Sequence, residues 1–150
     1  MQPYFLFTEM EETNMNLAEK LLKIDKGEFD KERTTKITSK MLSQLFGEPT
    51  KITIKAISPQ EVLDISATGL DDEGNPIIKK TLETNAILAA AAVVDPTLKD
   101  AELLKHLGVA TPGDAAIKLF KGEVNKIGIE VNKLAGFDVD IEDTDEELKN

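Results

Sequence analysis

The stretch AILAAAAVV, residues 86 to 94, limits the fold more than any other part of the chain. It is the second half of a helix predicted over Ile77 to Val94, the longest in the sequence, and it has no polar face. A helix that is apolar all round has to be covered on nearly every side. Asp95-Pro96 ends it, because a proline ring clashes with the preceding turn and restricts the residue before it. Several other helices are needed to bury this one.

Residues 93 to 137, VVDPTLKDAELLKHLGVATPGDAAIKLFKGEVNKIGIEVNKLAGF, supply three of them. Asp100 caps a helix over Ala101 to Leu107, which Gly108 ends. Thr111-Pro112-Gly113-Asp114 is a capping box that starts a helix carrying Ile117, Leu119 and Phe120, broken by Gly122. Glu123 to Ala135 sets Val124, Ile127, Val131 and Leu134 along one stripe, with Gly136 as the stop.

Upstream, Met15 to Ile24 places Leu17, Leu21 and Ile24 on one helical face with Leu22 beside them; Asn16 caps the start and Gly27 follows the end. Ser39 or Thr38 caps the short helix KMLSQLF, which stops at Gly47. Ser58-Pro59-Gln60-Glu61 is another capping box, opening a helix to about Thr68 that buries Val62 and Ile65, with Gly69 as its end. Asn75-Pro76 reads as a cap and first residue for the long helix.

One segment alternates instead. In KITIKAI, Lys51 to Ile57, Ile52, Ile54 and Ala56 point one way while Thr53 and Lys55 point the other, the pattern of a half-buried strand. Its backbone needs a partner. The Thr-rich segment 31 to 38 is the best available one, giving a two-stranded ribbon backed by helices. The expected fold is α+β, mainly α, with about six helices and a small two-stranded ribbon near the N-terminal third.

The 150 residues suffice for one domain, expected over residues 15 to 137. Residues 1 to 14 form an N-terminal arm in which Tyr4, Phe5, Leu6 and Phe7 adjoin. Two readings are open: a sticky arm that docks on a partner, or a frayed terminus ahead of a working start near Met10 or Met15. Residues 138 to 150 hold seven acids and one Lys, a local charge of −6, and read as a disordered, solvated tail.

Charge and composition exclude much. The net charge is −10 and no basic stripe tracks phosphates, which argues against nucleic acid and against anionic membrane. Cysteine is absent, so disulfides, thiolate catalysis and cysteine-ligated zinc are excluded. No apolar run approaches the roughly 20 residues that span a bilayer, and the start lacks the basic region of a secretory signal, so a cytoplasmic location is expected.

No catalytic constellation emerges. His106 is the single histidine, with no second His or Cys to share a metal, and reads as structural. The loop Asp71-Asp72-Glu73-Gly74-Asn75 loosely resembles a calcium loop, but its glycine is misplaced and no closing Glu follows at the required spacing. Asp138, Asp140 and Glu142 alternate without a glycine to turn the chain. Neither a phosphate-binding glycine loop nor G-x-S-x-G occurs. Neither an enzyme nor a cofactor or metal site is expected.

The C-terminal punctuation carries a resemblance. Val93, Val94, Asp95 and Pro96, then Leu98, Lys99 and Asp100, Pro112, Phe120, Gly122 and Glu123, and the closing Leu134, Ala135, Gly136 and Phe137 follow a family pattern. It resembles the XkdN-like tail assembly chaperones of defective and temperate phages of Gram-positive bacteria, and LFGEPTKITIKAISPQE is similar to that family's strand and capping-box region. The likeness covers residues 40 to 137 well and the first 39 weakly.

The resemblance implies a non-enzymatic protein of the host cytoplasm. It would hold the long tape measure protein soluble until tail tube subunits polymerise, with the tail tube protein as a further candidate partner. A small structural subunit retained in the virion is the alternative. The pattern names no contact residue, so Tyr4, Phe5, Leu6 and Phe7 are the only partner-binding candidates at this point.

Overall fold

Cap and stop residues decide where each element begins and ends, and the breakers in the sequence become the joints of the fold. The computed structural model describes residues 16 to 137, which fall into two compact units divided between Glu32 and Arg33. Both the aromatic arm with Tyr4, Phe5, Leu6 and Phe7 and the acidic tail from Asp138 lie outside the described residues.

The first unit contains α1 (Leu17–Leu22) and α2 (Lys26–Phe29). The Asn16 side chain accepts from the Glu19 amide at 2.8 Å, the expected cap. Gly27 follows the end of α1, within α2. No described residue of this unit is buried.

The second unit runs β1 (Thr34–Thr38), α3 (Lys40–Phe46), β2 (Lys51–Lys55), α4 (Pro59–Ala67), α5 (Ile78–Ala92), β3 (Val93–Asp95), α6 (Ala101–Leu107), α7 (Pro112–Phe120), a 3-10 turn (Lys121–Glu123) and α8 (Val124–Leu134). The class is α+β and mainly helical, as expected. β1 and β2 pair antiparallel, Thr34 opposite Lys55 through Thr38 opposite Lys51. Ile52 and Ile54 are fully buried, while Thr53 and Lys55 are only partly so. The alternation ends at Ile57, which is buried in place of Ala56.

The ribbon has a third strand. Val93 and Val94 leave the long helix and pair antiparallel with the other edge of β2, Ile54 opposite Val93 and Thr53 opposite Asp95. The Val93 amide still closes the last helical turn on the Ala89 carbonyl before the backbone turns extended. Two causes act together: Pro96 keeps Asp95 out of the helical region, and β-branched valines suit a strand. Helical periodicity alone had run the helix two residues too far.

The start of α5 also differs from expectation. Asn75-Pro76 does not cap it; Ile77 holds the N-cap position without a side-chain bond. The Asp71 carboxylate instead accepts from the amides of Glu73 and Asn75, both at 2.9 Å, and the Asp71 amide donates to the Asn75 carbonyl at 2.8 Å. This Asx-type turn pulls Asn75 and Pro76 back onto Gly69 and Leu70. At the end of α7 the left-handed residue is Lys121, φ 52°, and Gly122 lies within the 3-10 turn. Gly47 and Gly108 do stop α3 and α6, in the left-handed helical conformation that Lys121, at ψ −134°, does not share.

The core gathers around α5. Ala86, Leu88, Ala89, Ala90 and Ala92 are buried, packed with Phe120 of α7 and Val124, Ile127 and Val131 of α8. Helix α8 comes so close that a Cβ at Gly128 would collide with the Asn85 side chain. Ile52, Ile54, Val62 and Leu98 close the core from the sheet, α4 and the loop after β3.

A carboxylate from the far end of the unit caps α3. Ser39, buried, donates through Oγ to Glu123 Oε1 at 2.5 Å and accepts from the Leu42 amide at 3.1 Å. Glu123 Oε2 accepts from the amides of Lys40 at 2.7 Å and Met41 at 3.4 Å. The Ser39 amide donates to the Thr50 carbonyl at 2.9 Å. Every amide left without a partner at the start of α3 is thus satisfied. Charge-assisted bonds of this kind are the stronger ones. Glu123→Ala should therefore lower stability by about 2 to 3 kcal/mol, with Glu123→Gln recovering part of the loss. Urea unfolding of the full chain measures it, and a loss under about 0.5 kcal/mol would count against the cap.

Candidate partner-binding surface

Three helices leave a gap that the core does not fill. Between α4, α5 and the start of α7 lies a groove of about 480 Å³. Its lining includes the small residues Ala86, Ala90, Ala91 and Gly113, of which Ala86 and Ala90 are buried and give it an alanine floor. Ile65, Ile87 and Ile117 supply apolar walls. The sequence placed residues 86 to 94 in a helix covered on nearly all sides, yet Ile87 is 38% exposed and Ala91 half-buried. These two, one turn apart, face this opening.

Charge collects at the rim. Glu61 from α4, Glu83 from α5 and Asp114 from α7 are all exposed there, and Lys99 is the one cation. Local structure explains two of these placements, Glu61 and Asp114. Ser58 Oγ accepts from the Glu61 amide at 3.1 Å, fixing the first turn of α4, and Thr111 Oγ1 accepts from the Asp114 amide at 3.1 Å, fixing that of α7. Capping boxes favour acids in first turns because the helix dipole is positive there. The same local rule that starts two helices therefore lines one groove with negative charge.

A second depression of about 310 Å³ is lined by Met41, Leu45, Leu119, Lys118 and Lys121. Beside it in sequence, Leu45 and Phe46 are largely exposed at the end of α3. In the first unit, α1 presents Leu17 and Leu22 at 76% and 85% exposure, and Leu21, Ile24 and Phe29 are exposed as well. Isolated surface leucines are ordinary, but five large apolar side chains within thirteen residues make an adhesive segment.

Groups with chemical potential are spent elsewhere or stand apart. His106 is exposed in the last turn of α6. The Asp71 carboxylate serves its own turn. Ser39 and Glu123 adjoin like a hydroxyl and its base, but both hydrogen-bonding roles of Ser39 are used in capping α3. Among the described residues no group of three or more His, Cys, Asp or Glu side chains could hold a metal ion. Likewise no helix there is long and apolar enough to cross a membrane. Tyr4, Phe5, Leu6 and Phe7 are outside the described residues.

The groove itself was hidden from the sequence. Glu61, Glu83, Lys99 and Asp114 are scattered over fifty-four positions, and only tertiary packing brings them to one rim. The available signal was weak: Ile87 and Leu88 stand together before a run of alanines, and nothing in the run tells which of the two stays exposed.

Exposure makes a testable distinction between structural and adhesive leucines. Leu17→Ser with Leu22→Ser should change the unfolding free energy by less than about 0.5 kcal/mol per site, measured by chemical denaturation. A cost of several kcal/mol would mean that α1 is part of the folding core.

Neither a curated protein nor a solved structure matches the chain. A family model does, that of the phage XkdN-like tail assembly chaperone protein, over residues 18 to 149. The match begins earlier than the motif resemblance, which was weak before residue 40, and takes in α1 and α2. By that extent the chain belongs to the XkdN-like phage tail assembly chaperone family.

Proposed function

We propose that this protein works in the host cytoplasm as a holdase for the tape measure protein, covering apolar helix faces until tail tube subunits polymerise around it. The family match across residues 18 to 149 carries the reading, since it gives a role in tail assembly to nearly the whole chain.

The physical features support it. A long helical polypeptide made before its sheath exposes apolar faces that would otherwise aggregate. A small domain with an apolar groove and an adhesive leading helix can cover such faces. Its net charge of −10 would add repulsion between complexes and keep them dispersed. The work is binding and release, with no bond made or broken.

Co-expression with the phage's own tape measure protein should raise the soluble fraction of that protein and yield a complex that co-purifies. The chaperone should be missing from mass spectra of finished particles. A tape measure protein that stays insoluble and unbound, or stoichiometric chaperone in the virion, would overturn the reading.

A further inference from the structure

We infer that the groove between α4, α5 and α7 is the seat for an amphipathic helix of another protein whose aliphatic stripe is flanked by Lys or Arg. This rests on the chaperone reading and adds to it the surface used and the chemistry of the segment held.

The groove specifies its occupant by shape and by charge. A volume of about 480 Å³ over an alanine floor, between isoleucine walls, accepts aliphatic side chains projecting from a helix. Three acids against one Lys at the rim then select the flanks. An occupant with acidic flanks would place like charges together across an apolar contact.

That argument removes the occupants nearest to hand. Residues 138 to 150 carry −6, and residues 1 to 15 carry three Glu and no Lys or Arg. Either end would bring acid to an acidic rim despite its apolar residues. A second copy of the chain is opposed as a whole by its net −10. Its α1, with Leu17 and Leu21 beside Lys20 and Lys23, has matching local chemistry, so a peptide of residues 16 to 30 that bound as tightly as the Lys-flanked one would make a second copy the occupant and overturn the inference. A separate polypeptide with a basic-flanked helix satisfies both the apolar floor and the charged edge.

Three synthetic twenty-residue helical peptides test it against the full chain by fluorescence anisotropy. One has a Leu stripe flanked by Lys, one the same stripe flanked by Glu, and one Lys flanks with the stripe changed to Ser. The Lys-flanked Leu peptide should bind at least about tenfold more tightly than either other peptide. Ile87→Lys, which puts a charge on the groove wall, should abolish that binding. Glu83→Lys should weaken it about tenfold, while Glu48→Lys, with the same change in net charge but outside the groove, should not. Should Ile87→Lys fail to fold, by circular dichroism, Glu83→Lys at its exposed position decides the matter. Equal binding of the Lys- and Glu-flanked peptides, binding of neither, or indifference to Glu83→Lys would overturn the inference.

Co-expression separates this from the broader proposal. If wild type and Glu83→Lys solubilise the tape measure protein equally, the groove is not the seat although the holdase role stands. If wild type fails there while the peptide results hold, the groove binds basic-flanked helices and the tape measure reading falls.

Discussion

Alanine at the centre of the molecule is the constraint from which the rest follows. Ala86, Ala89, Ala90 and Ala92 on α5 have almost no side chain to hold neighbours away. Helices α7 and α8 can therefore approach closely, and larger residues on those helices fill the space: Phe120, Val124, Ile127 and Val131. Interiors are packed to near-crystalline density, so the arrangement tolerates little added bulk. At Gly128 the limit is visible, because a single methyl would run into Asn85, whose amide donates to Asn125 on the neighbouring helix at 2.8 Å. Alanine also holds the helix well without loss of side-chain entropy.

Such a core buries few polar groups, and those it buries are fully used. Among the described residues, no buried side-chain nitrogen or oxygen lacks a hydrogen-bond partner. Ser39 and Glu123 are the clearest instance: eighty-four residues apart, they close the start of α3 and tie it to the turn before α8. A carboxylate beside a serine in an unfamiliar protein invites a catalytic reading. Here the Ser39 proton goes to Glu123, both side chains accept from backbone amides of α3, and the pair is a joint between elements.

The surface has the opposite character. Apolar groups left outside the core gather on α1, at the end of α3 and in the groove beside α5. The alanines that let helices close on one side of α5 leave the groove open on the other. The packed core and the open groove thus draw on the same residue type in one helix.

Local chemistry was enough to locate most joints. Asn16, Ser39, Ser58, Asp100 and Thr111 all cap helices, and Gly47 and Gly108 end them, since these effects depend on a few adjacent residues. The alternation in KITIKAI likewise announced β2, and the family could be read from the punctuation of residues 93 to 137. What escaped was decided by a competing partner, near in sequence for Asn75 and distant for the rest. Val93 and Val94 became a strand because the free edge of β2 lay beside them, and Asn75 joined a turn because Asp71 competed for its amide. The acidic rim arose because three helices converge where no single segment shows it. Caps and alternation are short-range and so are written in the chain; edges, grooves and charge clusters belong to the packing, which brings residues together over separations no local pattern records.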